Sequence, residues 1–361
     1  MTPKPIIERP LSEQVLTIGE YHQDKEHGGI AAVLKYYRPY FDGFAFLPSS
    51  RRSSRADKLR YDLGSLFRLG WRLLWDRKIR IVHIHTAAGG SFTKHLYYYA
   101  ALARLMGRRV VMHCHASRFQ TWYESLSPRR QKRLLRQMAR LDRLLVLSQS
   151  WKEYFVLIGM DAERVEVLHN ITPPAALART ERVQGAPLRL LFLGEIGPRK
   201  GVFDLLEAMR LLQEKQSGAF FLHIGGNRQE EELRATIRAK GLSDCVLFHG
   251  FVSGEQKAAL LAQTDVFALP SHNEGLPISI LEAMSYGCAI LSTPVGGIPE
   301  VVCGNGLLVN PGDAPAIAEA LLALQDDALR RQMGAQSLET VKAYYPQAVL
   351  THLRSIYLSL L

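Results

Sequence analysis

Two glutamates eight positions apart, Glu274 and Glu282, stand in the stretch PSHNEGLPISILEAMSYGCAILSTPVGGIPE, residues 270–300. Ionised carboxylates accept well from sugar hydroxyls, so such a pair suits ribose or hexose recognition. Gly275 leaves the backbone open to close approach, and Pro277 suits a first helical turn, where its missing N–H leaves no bond unmade. The amides around Gly275, Leu276 and Ile278 would then face whatever lies before that helix, a site for an anion or a hydroxyl. Glu282 falls two turns in, on an otherwise apolar stretch. A bare buried charge is costly there, so the position requires solvent or a partner. An ordinary amphipathic helix with an acidic first turn explains the same pattern, so other segments have to decide.

The segment FLGEIGPRKGVFDLLEA, residues 192–208, reads as a strand feeding a helix through a glycine-bounded loop that carries Arg199 and Lys200. Cations at that junction can clamp a diphosphate, although a solvated basic turn looks the same. Gly225-Gly226 follows the strand FLHI, and Gly28-Gly29 follows the first strand. Either pair could let a nucleotide approach the backbone, and either could be a simple tight turn. His83, His85, His113 and His115 form two His-x-His pairs at strand ends. Zinc is the alternative there, but no carboxylate or cysteine cluster completes a tetrahedral set, and no metal is expected. His223 and His272 fit either a donor site or the framework.

These residues need rigid elements to hold them. Short β-rich runs alternate with helical patterns along the whole chain. The expected strands are Val15–Ile18, Ile79–Ile84, Val110–His113, Leu144–Leu147, Val165–Leu168, Leu188–Leu193, Phe220–Ile224, Val246–Phe248, Val266–Leu269 and Ala289–Ser292. Such alternation predicts parallel sheets covered on both faces. At 361 residues the chain exceeds one core, so two domains are expected. The prolines between Pro173 and Pro187 mark the junction. The expected division is residues 1–172, a linker at 173–187, a second domain at 188–340 and a helical segment at 341–361 that packs back toward the first domain. Ligands of doubly wound sheets bind at the carboxyl ends of strands, which predicts a cleft between the two units.

Charge is unevenly spread. Residues 1–180 carry a net charge of +15 and residues 181–361 a net of −4, within a total of +11. A basic half implies an anionic partner: nucleic acid, a phospholipid surface or a phosphorylated substrate. Basic residues crowd into 51–80 and 101–143, interleaved with apolar ones. Phe67, Trp71, Leu74 and Trp75 fall on one helical side, as in a helix lying on an anionic membrane surface or one packed on its own core. No nucleic-acid recognition motif accompanies the charge, so nucleic acid is not an expected partner. The four cysteines, 114, 245, 288 and 303, have no metal or redox spacing, which fits a reducing compartment. MTPKPIIERP has no signal-peptide run, and no stretch of 18 apolar residues exists.

Taken together, these motifs resemble the retaining glycosyltransferases of family 4, whose bacterial members build exopolysaccharide and lipopolysaccharide. The match runs in order over nearly the whole chain, and the paired-glutamate segment is its most specific part. The resemblance implies the α/β GT-B fold, two Rossmann-like doubly wound domains facing across a cleft. It implies that Glu274 contacts the donor hexose, Glu282 the nucleotide ribose, Lys200 the donor diphosphate and His115 the reacting sugar, with Gly28-Gly29 near the diphosphate. Expected partners are a nucleotide-sugar donor, UDP-linked in preference to GDP-linked, and a glycan or polyprenyl-diphosphate-linked acceptor. The expected location is cytoplasmic, on the inner face of the plasma membrane. In one place the sequence departs from the family pattern: Glu195 stands where most members carry arginine, removing one positive ligand that Arg199 could replace. Rival readings are a nucleotide-sugar epimerase, a glycogen-synthase-like polymerase, an inactive relative and, from another class, a nucleic-acid-binding protein using the basic N-terminal half.

Overall fold

The computed structural model describes residues 3–20, 29–50, 55–183 and 185–361. Its contacts divide the chain into two compact units, Met1–Ile171 with Pro346–Leu361, and Thr172–Tyr345.

The first unit is built on β1 (Val15–Glu20), β2 (Phe46–Ser50), β3 (Ile81–Thr86), β4 (Arg109–Cys114), β5 (Arg143–Val146) and β6 (Val165–Val167). They form one parallel sheet in the order β2-β1-β3-β4-β5-β6. Every residue of β3 is buried, as helix-covered parallel strands require. The chain runs from β1 out to β2 and returns on the other side as β3, so strand order reverses between β1 and β3. The helix Arg55–Trp75 makes that return. It buries Ser65, Leu69 and Leu73, each at 0% exposure, while Leu63, Phe67, Trp71, Leu74 and Trp75 are 57–72% exposed. The aromatic side is therefore not the side that packs on the core. No helix among the described residues is long and apolar enough to cross a membrane.

The second unit repeats the plan with β7 (Leu188–Leu193), β8 (Phe220–Gly225), β9 (Val246–Phe248), β10 (Val266–Leu269), β11 (Ala289–Ser292) and β12 (Gly306–Leu308). The order is β12-β11-β10-β7-β8-β9, again all parallel. Here the reversal lies between β7 and β10.

The structure differs from the sequence reading in its edges and its junction. Strands β2 and β12 were not foreseen. The former contains Pro48, tolerated because it is an edge strand, and the latter has only three residues. Residues 173–187 are not a free linker. The Thr180 amide donates to the Ala262 carbonyl at 2.8 Å, the Ala176 amide donates to the Tyr286 hydroxyl at 3.2 Å, and Arg179 and Arg182 reach the buried Asp265. Val341–Tyr344 stays with the second unit, whereas the helix Pro346–Ser359 belongs to the first.

Candidate active site

In a doubly wound sheet the loops at the strand-order reversal diverge and leave room for a ligand. In the second unit these are the loops after β7 and after β10, and they carry Arg199, Lys200 and Glu274. Gly201 brings them together. Its φ is +71°, and a Cβ there would lie 1.9 Å from the Pro270 carbonyl oxygen, so only glycine permits the approach. Across this contact the Lys200 ammonium donates to Glu274 Oε1, and Ser271 Oγ donates to the same oxygen at 2.8 Å. The Lys200 side chain is 14% exposed and that of Glu274 only 6%, so the pair is nearly dry. Arg199 donates from Nη1 to the Asn273 carbonyl at 3.1 Å, and the His272 amide returns a bond to the Arg199 carbonyl at 2.9 Å.

The β10 loop is braced from behind by the loop after β11. Thr293 Oγ1 donates to the Ser271 carbonyl at 2.5 Å, and the Gly297 amide to the Gly275 carbonyl at 2.6 Å. Gly296, at φ +58°, lies so close that a Cβ would sit 2.1 Å from the Glu274 carbonyl oxygen. Gly275 and Leu276 then lead into the helix Ile278–Ser285. Pro277, in extended backbone, occupies its N-cap, and no side chain caps it. Its first amides are therefore presented as a terminus suited to an anion.

Glu282 is buried on this helix, its side chain 9% exposed, and accepts from Lys257 Nζ at 2.7 Å. The partner that its burial demanded is thus a lysine on the helix Gly254–Gln263. Sequence reasoning did not single out Lys257, and the unmet need of Glu282 was its only signal. Gly225 ends β8 as a packing glycine, since a Cβ there would come within 2.5 Å of Val252 and 2.7 Å of Leu193. Gly29 opens the helix Gly29–Tyr37 with nothing among the described residues within 4 Å of where a Cβ would lie, and Gly28 lies outside the described residues. His272 pairs with Asp204 at 2.7 Å and His223 with His249 at 2.9 Å.

His115 belongs to the first unit, just past β4. The β3–β4 register sets His85 opposite His113, so the two His-x-His pairs share one face. His85 Nδ1 lies 2.9 Å from His115 Nε2, and His83 Nδ1 lies 2.6 Å from the Tyr357 hydroxyl. Ring nitrogens of His83, His85 and His113 come within 4.8 Å of one another, close enough to offer one cation three ligands. Seeking acids and cysteines beside each pair misses this, because the third imidazole comes from the neighbouring strand. Burial pushes His83 and His115 down to about 3, and His85 and His113 well below the ordinary histidine range. The cluster is therefore neutral near pH 7, and His115 offers a neutral imidazole rather than a charged acid.

Two doubly wound parallel units, the second holding a lysine against a carboxylate at its strand reversal, define the GT-B class of fold. Among solved structures, that of Anabaena Alr3699/HepE in complex with UDP and glucose superposes with a TM-score of 0.72. It matches 96% of this chain and 100% of that one at 16% identity. Residues 178–340 match the family model described as glycosyl transferases group 1, and residues 37–171 that of the glycosyl transferase 4-like domain. Each half of the chain thus matches a glycosyltransferase domain. The amylovoran biosynthesis glycosyltransferase AmsK of Erwinia amylovora is 33% identical over 199 residues, which is 52% of this chain and 49% of AmsK. The putative colanic acid biosynthesis glycosyltransferase WcaL of Escherichia coli K12 is 31% identical over 191 residues, 50% of this chain and 47% of WcaL. The chain spans about half the length of the curated relatives it matches.

Proposed function

We propose that this chain moves a hexose-type sugar, with retention of anomeric configuration, from a nucleotide-diphosphate sugar to a glycan acceptor carried on a lipid, in cell-surface polysaccharide synthesis. The observation that carries this reading is the buried Lys200–Glu274 pair at the strand reversal of the second unit. The names of AmsK and WcaL support the pathway class. In this scheme the bond from the anomeric carbon to the leaving phosphate oxygen breaks, and the acceptor oxygen bonds on the same face. The acceptor's proton passes to the departing phosphate, so no side-chain nucleophile is needed. Lys200, Arg199 and the amides before Ile278 stabilise the charge that grows on the diphosphate. Glu274 orients the sugar and Glu282 the ribose. His115 hydrogen-bonds a sugar hydroxyl. Basic groups and amides do the work a divalent cation does elsewhere, so transfer is expected to persist in EDTA.

A panel of UDP- and GDP-sugars tests this directly. A ligand at about a hundred times its Kd adds roughly 2.7 kcal/mol to apparent stability, enough to raise Tm by several degrees. The expected result is a shift with UDP-sugars, followed by nucleotide release and an α-for-α or β-for-β product when acceptor is added. A panel that leaves Tm unmoved at millimolar concentrations sinks the proposal.

The lipid side of the reading rests on the helix Arg55–Trp75. Leu63, Phe67, Trp71 and Trp75 recur every four residues on its exposed side. The Phe67 and Trp71 rings lie 6.3 Å apart, and those of Trp71 and Trp75 5.5 Å. By sequence this helix carries five basic residues, Arg55, Lys58, Arg60, Arg68 and Arg72, against two acids, Asp57 and Asp62. Aromatics beside arginines suit the interface of an anionic bilayer, on the cytoplasmic face where lipid-linked acceptors are presented. Co-sedimentation with vesicles rich in anionic lipid is expected at low salt. Replacing Phe67, Trp71 and Trp75 together by serine should weaken it by about tenfold or more. Equal binding by that triple variant would refute the assignment.

A further inference from the structure

Two local oddities of the second unit touch each other. Glu195, just past β7, occupies the place where the family usually carries a cation. Arg228, in the loop after β8, is the one non-glycine residue with positive φ among the described residues, at +95°. Glycine is the residue favoured at such an angle, so an arginine there is strained. The two meet: Glu195 Oε1 lies 3.3 Å from Arg228 Nε, while Glu195 Oε2 lies 3.5 Å from Arg199 Nη2. The loops that carry them are joined. The Ile196 amide donates to the Asn227 carbonyl at 2.8 Å, and Ile196 forms a parallel bridge with Arg228.

Charge shows what this achieves. Arg199 and Lys200 are balanced by Glu195 and Glu274, which leaves the group neutral and poorly suited to a diphosphate. Arg228 makes it net positive. It stands at the carboxyl end of β8, the strand paired with β7, and so at the same sheet end as Lys200. Its side chain is 56% exposed, and a guanidinium has five donors, more than one carboxylate engages.

We propose that Arg228 is a ligand of the donor diphosphate and replaces the charge absent at position 195, with Glu195 holding Arg199 and Arg228 as a pair. This rests on the donor reading above and assigns a residue that reading does not use. Arg228→Gly is the decisive variant, because glycine suits the backbone angle and the fold is expected to keep its Tm or gain slightly. Calorimetric titration with UDP and GDP is expected to show about tenfold weaker binding than the unsubstituted chain, the loss of one charge-assisted contact. Binding of the bare nucleoside should not change. Arg228→Lys should bind between the two. Adding Glu195→Arg to Arg228→Gly should return the affinity to within about threefold by restoring the charge from the other loop. Undiminished diphosphate affinity in Arg228→Gly, or no recovery in the double variant, overturns the proposal. Failure of the unsubstituted chain to bind any nucleoside diphosphate overturns the donor reading, and this inference with it.

Discussion

Lys200→Ala is expected to lower kcat/KM for sugar transfer by about two to three orders of magnitude, the usual loss when one preorganised donor to a developing anion is removed. Lys200, its side chain 14% exposed, is held by the more deeply buried Glu274 carboxylate, so its position is set before the donor arrives. Charge builds on the leaving diphosphate as the glycosidic bond lengthens, and a fixed ammonium there stabilises the transition state more than the ground state. The same substitution strips Glu274 of its cation and leaves only Ser271 Oγ against a buried carboxylate. Breaking a buried pair commonly costs about 3–5 kcal/mol, so a drop in Tm is expected as well. Lys200→Ala combined with Glu274→Gln separates the two effects. The double variant should regain much of the lost Tm, since no unpaired charge remains, while transfer stays lost. Unchanged kcat/KM in Lys200→Ala removes the phosphate role.

The second large effect is acid lability. His83, His95 and His115 are pushed down to about 3 by burial, and His85 and His113 well below their ordinary range. In the unfolded chain each titrates near 6.5. Between about pH 6.5 and 3 the unfolded state therefore binds more protons than the folded one, and stability rises with pH across that window. It is complete above about 6.5 and falls below. At pH 5 one such histidine opposes folding by about 2 kcal/mol, and the cluster contains several. Tm is expected to fall by at least about 10 °C between pH 7.5 and 5. Lowered carboxylates such as Glu207, held at about 2 by Arg210 and Lys240, act only below their own unfolded value near 4.5 and do not contribute in this range. A flat Tm from pH 7.5 to 5 would show that the histidines are solvated.

Much of the fold was legible because parallel strands buried on both faces have a plain signature. Leu188–Leu193, Val246–Phe248, Val266–Leu269 and Ala289–Ser292 have the expected bounds, since each is a short apolar run between breakers. The edge segments FLPSS, with a proline and two serines, and GLL, with a glycine among three residues, lack that signature and were missed. Glu274 and Lys200, 74 positions apart, were both singled out, yet nothing local says that they touch. That depends on strand order, because β10 inserts beside β7 rather than beside β9. Arg228 was invisible for a related reason. An arginine in a loop is unremarkable until the backbone angle beneath it and the carboxylate beside it are known. The aromatic side of residues 55–75 was read with two outcomes open. What sequence could not give was a second apolar side, Leu69 and Leu73, that fills the core and frees the aromatics.

The helix Pro346–Ser359 completes the first unit, with the Tyr357 hydroxyl bonded to His83 and Leu350, Leu353 and Ile356 buried. Emergence from the ribosome therefore runs against completion. Residues 1–171 emerge first but lack part of their core until residues 346–361 appear, whereas the second unit closes from one unbroken stretch. The nascent polypeptide must keep an unfinished sheet, with His83 and its neighbours uncovered, through the synthesis of the whole second unit, and that interval is when chaperones would be most needed.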